Sequence, residues 1–160
     1  ADLAAAAASA SRALRPWIFV SGHRPVYSIL MQKDDAPTGS CTALQTAVEH
    51  LFEKYGVDVY FCGHMHSYER QWPTYKNKPE TNLKNPKHTV YIVAGAAGSV
   101  EGHTSYAGLP TPSWNVMSQD TAFGLGELNV VNSSFIRWTF YESANGTVLD
   151  SMELWKEHSA

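Results

Sequence analysis

Apolar and polar positions along the chain alternate between helical and extended patterns for the first ninety-five residues or so, lose periodicity up to residue 121, and are extended from Gly124 onward. Ala4 to Ala8 and the residues up to Leu14 are nearly all strong helix formers, and Arg15-Pro16 ends that run because proline biases its predecessor out of the α region. Trp17-Ile18-Phe19-Val20, closed by Gly22, is the short unbroken apolar run of a strand buried on both faces. Leu44, Val48, Leu51, Phe52 and Tyr55 recur at helical spacing, with Gly39-Ser40 before them and Gly56 positioned as a cap, which predicts an amphipathic helix. Val57 to Cys62 and Thr89 to Ala94 predict two more buried strands, separated by a polar loop rich in Lys, Asn and Pro. Residues 95 to 121 lack periodicity and predict a long loop of the kind that often carries function. From Gly124 onward Leu128 to Val131, Phe135 to Tyr141 and Val148 to Trp155 are extended runs, the last two joined by a turn at Asn145-Gly146. The expected fold class is therefore α/β, ending in antiparallel strands, with no linker between domains.

Composition narrows the function classes. One hundred and sixty residues suit one domain, and 44% hydrophobic against 17% charged residues predicts a folded chain. A formal net charge of -3 lacks the basic excess of a phosphate-backbone binder, so nucleic acid is not an expected partner. No apolar stretch reaches the roughly 18 to 20 residues that span a bilayer, so no membrane span is expected. Cys41 and Cys62 are too few for a disulfide scaffold, and their separation in sequence leaves open whether they pair. Asn132-Ser133-Ser134 and Asn145-Gly146-Thr147 are glycosylation sequons in predicted turns, which leans towards a secreted or vesicular protein. The chain opens Ala1-Asp2-Leu3 without Met or a signal region, as expected of a processed or cut polypeptide.

The chemistry is concentrated in an internal echo. Trp17 to His23 and Val57 to His64 each run a buried strand into Gly-His, which aims His23 and His64 at the carboxyl rim of a sheet, where α/β folds bind ligands. His66 follows two residues later, so in an extended loop its side chain points the same way as that of His64. Three imidazoles at one rim suit a metal such as Zn or Fe, while hydrogen-bonded or surface histidines account for the same pattern equally well. His50, His88 and His158 read as solvent-facing, and His103, in the long loop, is a weaker candidate for touching substrate or metal. Trp72, Trp114 and Trp138 read as core, and Asp34-Asp35 as a solvated loop.

Gly22-His23-Arg24-Pro25-Val26-Tyr27-Ser28, followed by Gly63-His64-Met65-His66-Ser67-Tyr68-Glu69-Arg70, resembles the carboxyl-terminal half of the purple acid phosphatases, within the calcineurin-like metallophosphoesterases. The likeness extends over the loop Tyr91 to Gly102 and the closing hairpin with Val148-Leu149-Asp150-Ser151. It implies part of a metallophosphoesterase β-sandwich flanked by helices. It further implies that His23 and His64 ligate a divalent metal (Zn, Fe or Mn), that His66 ligates Fe(III), and that the reaction is hydrolysis of phosphomonoesters at acidic pH. Glu101 and His103 would then lie near the pocket. Tyr68, Glu69 and Arg70 would support the histidine loop from behind rather than act on substrate.

The chain departs from that pattern in having no Gly-Asp and no Gly-Asn dipeptide, which elsewhere in the family supply aspartates and an asparagine to the metals. An amino-terminal half, as a separate chain or missing segment packed beside the first strand, is therefore the expected partner. Ser28 to Ala47 contains no histidine, so the family's proton donors have no counterpart there, and Gly95 to Ser99 lacks the plant pattern's Asp and Asn. The alternatives are a phosphodiesterase or nucleotide pyrophosphatase of the same superfamily, or a non-catalytic metal-binding fragment. Homodimerisation is left open.

Overall fold

The structure, a computed structural model, describes residues 1–33 and 41–157. Asp34-Asp35, Gly39-Ser40 and His158 lie outside the described residues. The first helix, α1 (Asp2–Ala8), is shorter than the alanine run suggests: Ser9 turns extended (φ -61, ψ 135), and the chain resumes only as a 3-10 turn over Ala10–Ala13. No residue of α1 is buried, so packing adds little to an intrinsic preference that is marginal in so short a segment. Helix α2 (Thr42–Tyr55) matches expectation. It buries Phe52, packs Leu44 and Val48 against the core, and ends at Gly56, whose left-handed φ of 64 returns an N–H to the Phe52 carbonyl.

Strands β1 (Phe19–Ser21), β2 (Val59–Cys62) and β6 (Val90–Ala94) run parallel and adjacent, and β3 (Tyr68–Gln71) and β7 (Asn115–Gln119) extend the sheet antiparallel, in the order β1-β2-β6-β3-β7. Between β3 and β6 lies a small hairpin of β4 (Thr74–Tyr75) and β5 (Lys78–Pro79). A second sheet, β8 (Gly124–Asn132), β9 (Phe135–Glu142) and β10 (Val148–Trp155), is an antiparallel meander. Side-chain alternation in the first sheet divides the core into two. Tyr60, Cys62, Tyr91 and Val93 face Phe52 and the segment Val26 to Met31. Val59, Val90 and Ile92 face Ile136, Trp138, Phe140, Met152 and Leu154 of the second sheet. The result is the two-sheet sandwich with helices on an outer face that the resemblance implied.

Five local expectations are corrected or resolved. The long loop contains β7, and the segment after His66 is β3, whose four residues Tyr-Glu-Arg-Gln are all buried and so show no polar alternation. His88 is half-buried rather than solvent-facing: it sits 2.8 Å from Glu53 of α2 and stacks on Tyr75. Among the described residues Cys41 and Cys62 are both free, with burial pushing the Cys62 thiol far up. Trp114 and Trp138 are core, as expected, while Trp72 is half-buried. Among the described residues no helix is long and apolar enough to cross a membrane.

Candidate metal centre

The parallel register Ser21 to Phe61 brings the ends of β1 and β2 level, and two bonds carry the pairing past the strands: Gly22 N–H to Phe61 O at 3.0 Å and Gly63 N–H to His23 O at 3.1 Å. His23 and His64 therefore emerge side by side. His64 Nδ1 lies 3.1 Å from His23 Nε2, with the rings edge to face at 5.0 Å. Gly22 is forced by contact, since a Cβ there would stand 2.2 Å from the Tyr60 hydroxyl.

The loop after His64 is curled, not extended. His64 has φ 59, a left-handed conformation costing on the order of 1 kcal/mol for a residue with a side chain. Two successive tight turns follow, Met65 N–H to Gly63 O and Ser67 N–H to Met65 O. This curl sends His66 away from the other two: its Nδ1 lies 3.6 Å from the exposed Glu101 carboxylate. Among the described residues no group of three His, Cys, Asp or Glu stands close enough to hold one ion, so the expected trio divides into the pair His23 and His64 and a separate His66 with Glu101. Gly95 fastens the curl, because Met65 O sits 1.9 Å from where its Cβ would be, and its N–H donates to Ser67 O.

The other candidates surround this arrangement. His103 places Nδ1 3.3 Å from the His66 carbonyl and stacks on Phe123 at 4.1 Å, so it braces the backbone of the loop. Thr104 clips the same residue twice, donating its N–H to His66 O and accepting the His66 N–H at its hydroxyl. Tyr68 and Arg70 reach the second sheet: the Tyr68 hydroxyl donates to Asp150, and Arg70 holds the same carboxylate through two bonds of 2.6 and 2.9 Å. Glu69 is fully buried. It accepts from the Ser28 hydroxyl, the Ile29 N–H at 2.9 Å and the Gln71 amide at 3.0 Å, and burial pushes its carboxyl up to about 7. Asn132 and Asn145 sit in exposed hairpin turns, each side-chain oxygen accepting from the N–H two residues on. Sequence reasoning did not single out Thr104 or Ser28 as partners, nor Asp150 as the group that receives Arg70. Only their position in the folded chain marks them.

The His23 and His64 nitrogens suit a cation. Imidazole nitrogens at about 2.0 to 2.1 Å from one tetrahedral zinc ion stand about 3.3 Å apart, close to the 3.1 Å found. Two ligands leave the coordination shell open, and further donors are needed to complete it.

Residues 4–68 match the family profile described as calcineurin-like phosphoesterase, and residues 88–151 match that of iron/zinc purple acid phosphatase-like protein C. The chain is 35% identical over 153 residues to acid phosphatase A of Cryphonectria parasitica, an alignment covering 95% of this chain and 29% of that protein. It is 31% identical to "Probable inactive purple acid phosphatase 27" of Arabidopsis thaliana, over 94% of this chain and 25% of that one. Among solved structures it superimposes on purple acid phosphatase PPD1 from yellow lupin (Lupinus luteus) seeds with a TM-score of 0.79, at 26% identity, covering 98% of this chain and 28% of that chain. The chain spans about a third of the length of the curated relatives it matches.

Proposed function

The chain belongs to the purple acid phosphatases within the calcineurin-like phosphoesterases, and from that premise we propose that it is the histidine-bearing part of a metal-dependent phosphomonoester hydrolase. The observation that carries this reading is the juxtaposition of His23 and His64 at the carboxyl rim of the sheet, 3.1 Å apart. In this reading they share one divalent ion (Zn, Fe or Mn), and His66 serves a second, Fe(III). The division of the three histidines into a pair and a single residue suits two ions better than one. The chemistry a dinuclear centre supplies when bound is neutralisation of phosphate oxygens and activation of water for in-line attack.

The chain's own residues hold the donors in place. His23 and His64 bring ring nitrogens together at the rim, while Gly95 and Thr104 keep the loop curled and Glu101 stands beside the Nδ1 edge of His66. His23 is exposed and His64 and His66 half-exposed, so a phosphate ester can approach from solvent.

The remaining ligands come from an amino-terminal half of the enzyme. Among the described residues β1 ends the sheet order with one side unpaired, and beside it Leu14, Trp17, Phe19 and Val130 line a cleft of about 380 Å³. An adjoining half covers this flank and brings carboxylates to the histidine rim. The exposed sequon turns at Asn132 and Asn145 favour a glycosylated, secreted or vesicular protein.

The test is metal content and turnover of the full-length protein, wild type and His64→Ala, on an aryl phosphate, a bis-aryl phosphate and a nucleotide. About two metals per wild-type molecule, a preference for the monoester and loss of metal with turnover in the variant are expected. Faster diester cleavage would move the protein to the phosphodiesterases. Full metal and activity in the variant would remove His64 from the site. A second reading, a metal-binding module without turnover, is favoured by the relative named as inactive, and predicts metal without hydrolysis.

A further inference from the structure

Three separate loops carry the histidines, and all three lead into one buried carboxyl. Five residues after His23, Ser28 donates its hydroxyl to Glu69, and the next residue, Ile29, donates its N–H at 2.9 Å. Three residues after His66 comes Glu69 itself, on β3. Three residues after His103, the Tyr106 hydroxyl lies against the Glu69 carboxyl and donates to the Tyr68 carbonyl at 2.9 Å. The Gln71 amide closes the shell at 3.0 Å.

We propose that Glu69 is a positioning residue that sets the His23 loop against the His64–His66 loop, and thereby the spacing of the two imidazoles. The inference rests on the reading of His23 and His64 as ligands.

Its physical basis is the cost of leaving those donors unmet. Ile29 opens a 3-10 turn (Ile29–Lys33) whose first N–H groups have no partner within the turn, and Glu69 takes one of them. Ser28 is fully buried and also accepts the Leu30 N–H, so its hydroxyl proton is directed to the carboxyl. With the carboxyl removed, a hydroxyl and a backbone N–H lose their acceptor deep in the protein. The segment Val26 to Met31 has to move to find others, carrying the end of the His23 loop with it. At the rim itself the strand ends are tied by backbone bonds, Gly22 N–H to Phe61 O and Gly63 N–H to His23 O, and the Tyr60 hydroxyl donates to the Arg24 carbonyl; Glu69 adds side-chain acceptors behind them.

The experiment titrates Zn²⁺ into the metal-free full-length protein by calorimetry, for the wild type, Glu69→Ala, Glu69→Gln and Ser28→Ala, at a temperature well below every unfolding midpoint. Imidazole NMR follows the contact between His23 and His64 in the same samples. Glu69→Ala is expected to weaken Zn²⁺ binding about tenfold, the lower end of what losing a supporting group costs a metal site, and to lose the imidazole contact. Glu69→Gln, which keeps a carbonyl acceptor, should recover most of both, and Ser28→Ala should fall between. A role in packing alone lowers the unfolding midpoint and leaves Zn²⁺ affinity and the imidazole contact where they were, and that result overturns the inference. If Glu69→Ala does not fold, the Gln and Ser28 variants decide: unchanged affinity in both also overturns it. Zn²⁺ failing to bind the wild type removes the metal-site reading itself, and this inference with it. Binding that is equal in wild type and folded variants removes this inference alone.

Discussion

Replacing Glu69 by Gln should abolish a specific pH dependence of stability. Burial lifts the Glu69 carboxyl from the ordinary 4.5 to about 7. Between those values the folded protein keeps a proton that the unfolded chain has released, so stability falls as pH rises. The contribution is fully present below about pH 4.5 and gone above about pH 7. A rise of about 2.5 units at about 1.36 kcal/mol each amounts to roughly 3 kcal/mol. The Gln side chain does not ionise in this range and carries no such slope. Urea unfolding of the full-length protein at half-unit steps from pH 4 to 8, followed by tryptophan fluorescence, gives both curves. The wild-type-minus-variant difference should decline by about 3 kcal/mol across the window, while groups common to both proteins, such as the buried Asp58, cancel. Two curves that run parallel within about 0.5 kcal/mol would refute the argument, because the carboxyl would then titrate alike in the folded and unfolded chain.

Asp150→Ala strips Arg70, buried on β3, of its carboxylate partner. A loss of about 3 to 5 kcal/mol is expected in denaturant unfolding, and Arg70→Met with Asp150→Leu should recover much of it. A Cβ at Gly95 meets backbone and not a yielding side chain. Gly95→Ala is therefore expected to cost about 1 to 3 kcal/mol and to displace the His64–His66 loop, read as weakened Zn²⁺ binding in calorimetry. Wild-type affinity in a folded Gly95→Ala protein would show that the loop does not depend on that contact. Gly56→Ala tests the end of α2 alone: its left-handed φ of 64 predicts a loss of about 1 kcal/mol in thermal unfolding, with Zn²⁺ binding unchanged.

Local patterns carried far in this protein. The apolar runs ending at Val20, Cys62 and Ala94, the stripe from Leu44 to Tyr55, and the Asn145-Gly146 turn each state their own element, because burial on two faces, a helical stripe and a tight hairpin depend on neighbours in sequence. The paired Gly-His strand ends stated as well that His23 and His64 share a rim. The polar strand Tyr68 to Gln71 was not legible as a strand. Its buried polar side chains are matched by Asp150 some eighty residues later, by Ser28 some forty residues earlier and by Ile29 beside it, and no local rule links those positions. Likewise the alanine run overstated α1, since propensity is a weak preference where only Leu3 and Ala7 pack, and those partly.

The alternation of helix and strand, the two adjacent Gly-His termini and the resemblance that they carry are written in the order of the residues. Tertiary structure alone decided that His64 turns to His23 while His66 turns to Glu101. That choice follows from a left-handed residue, from a carbonyl pressed against Gly95 and from a clip by Thr104. Side-chain direction in a loop is set by whichever distant backbone the loop lies on, and that contact exists only after the sheet has brought β6 and its following loop beside β3.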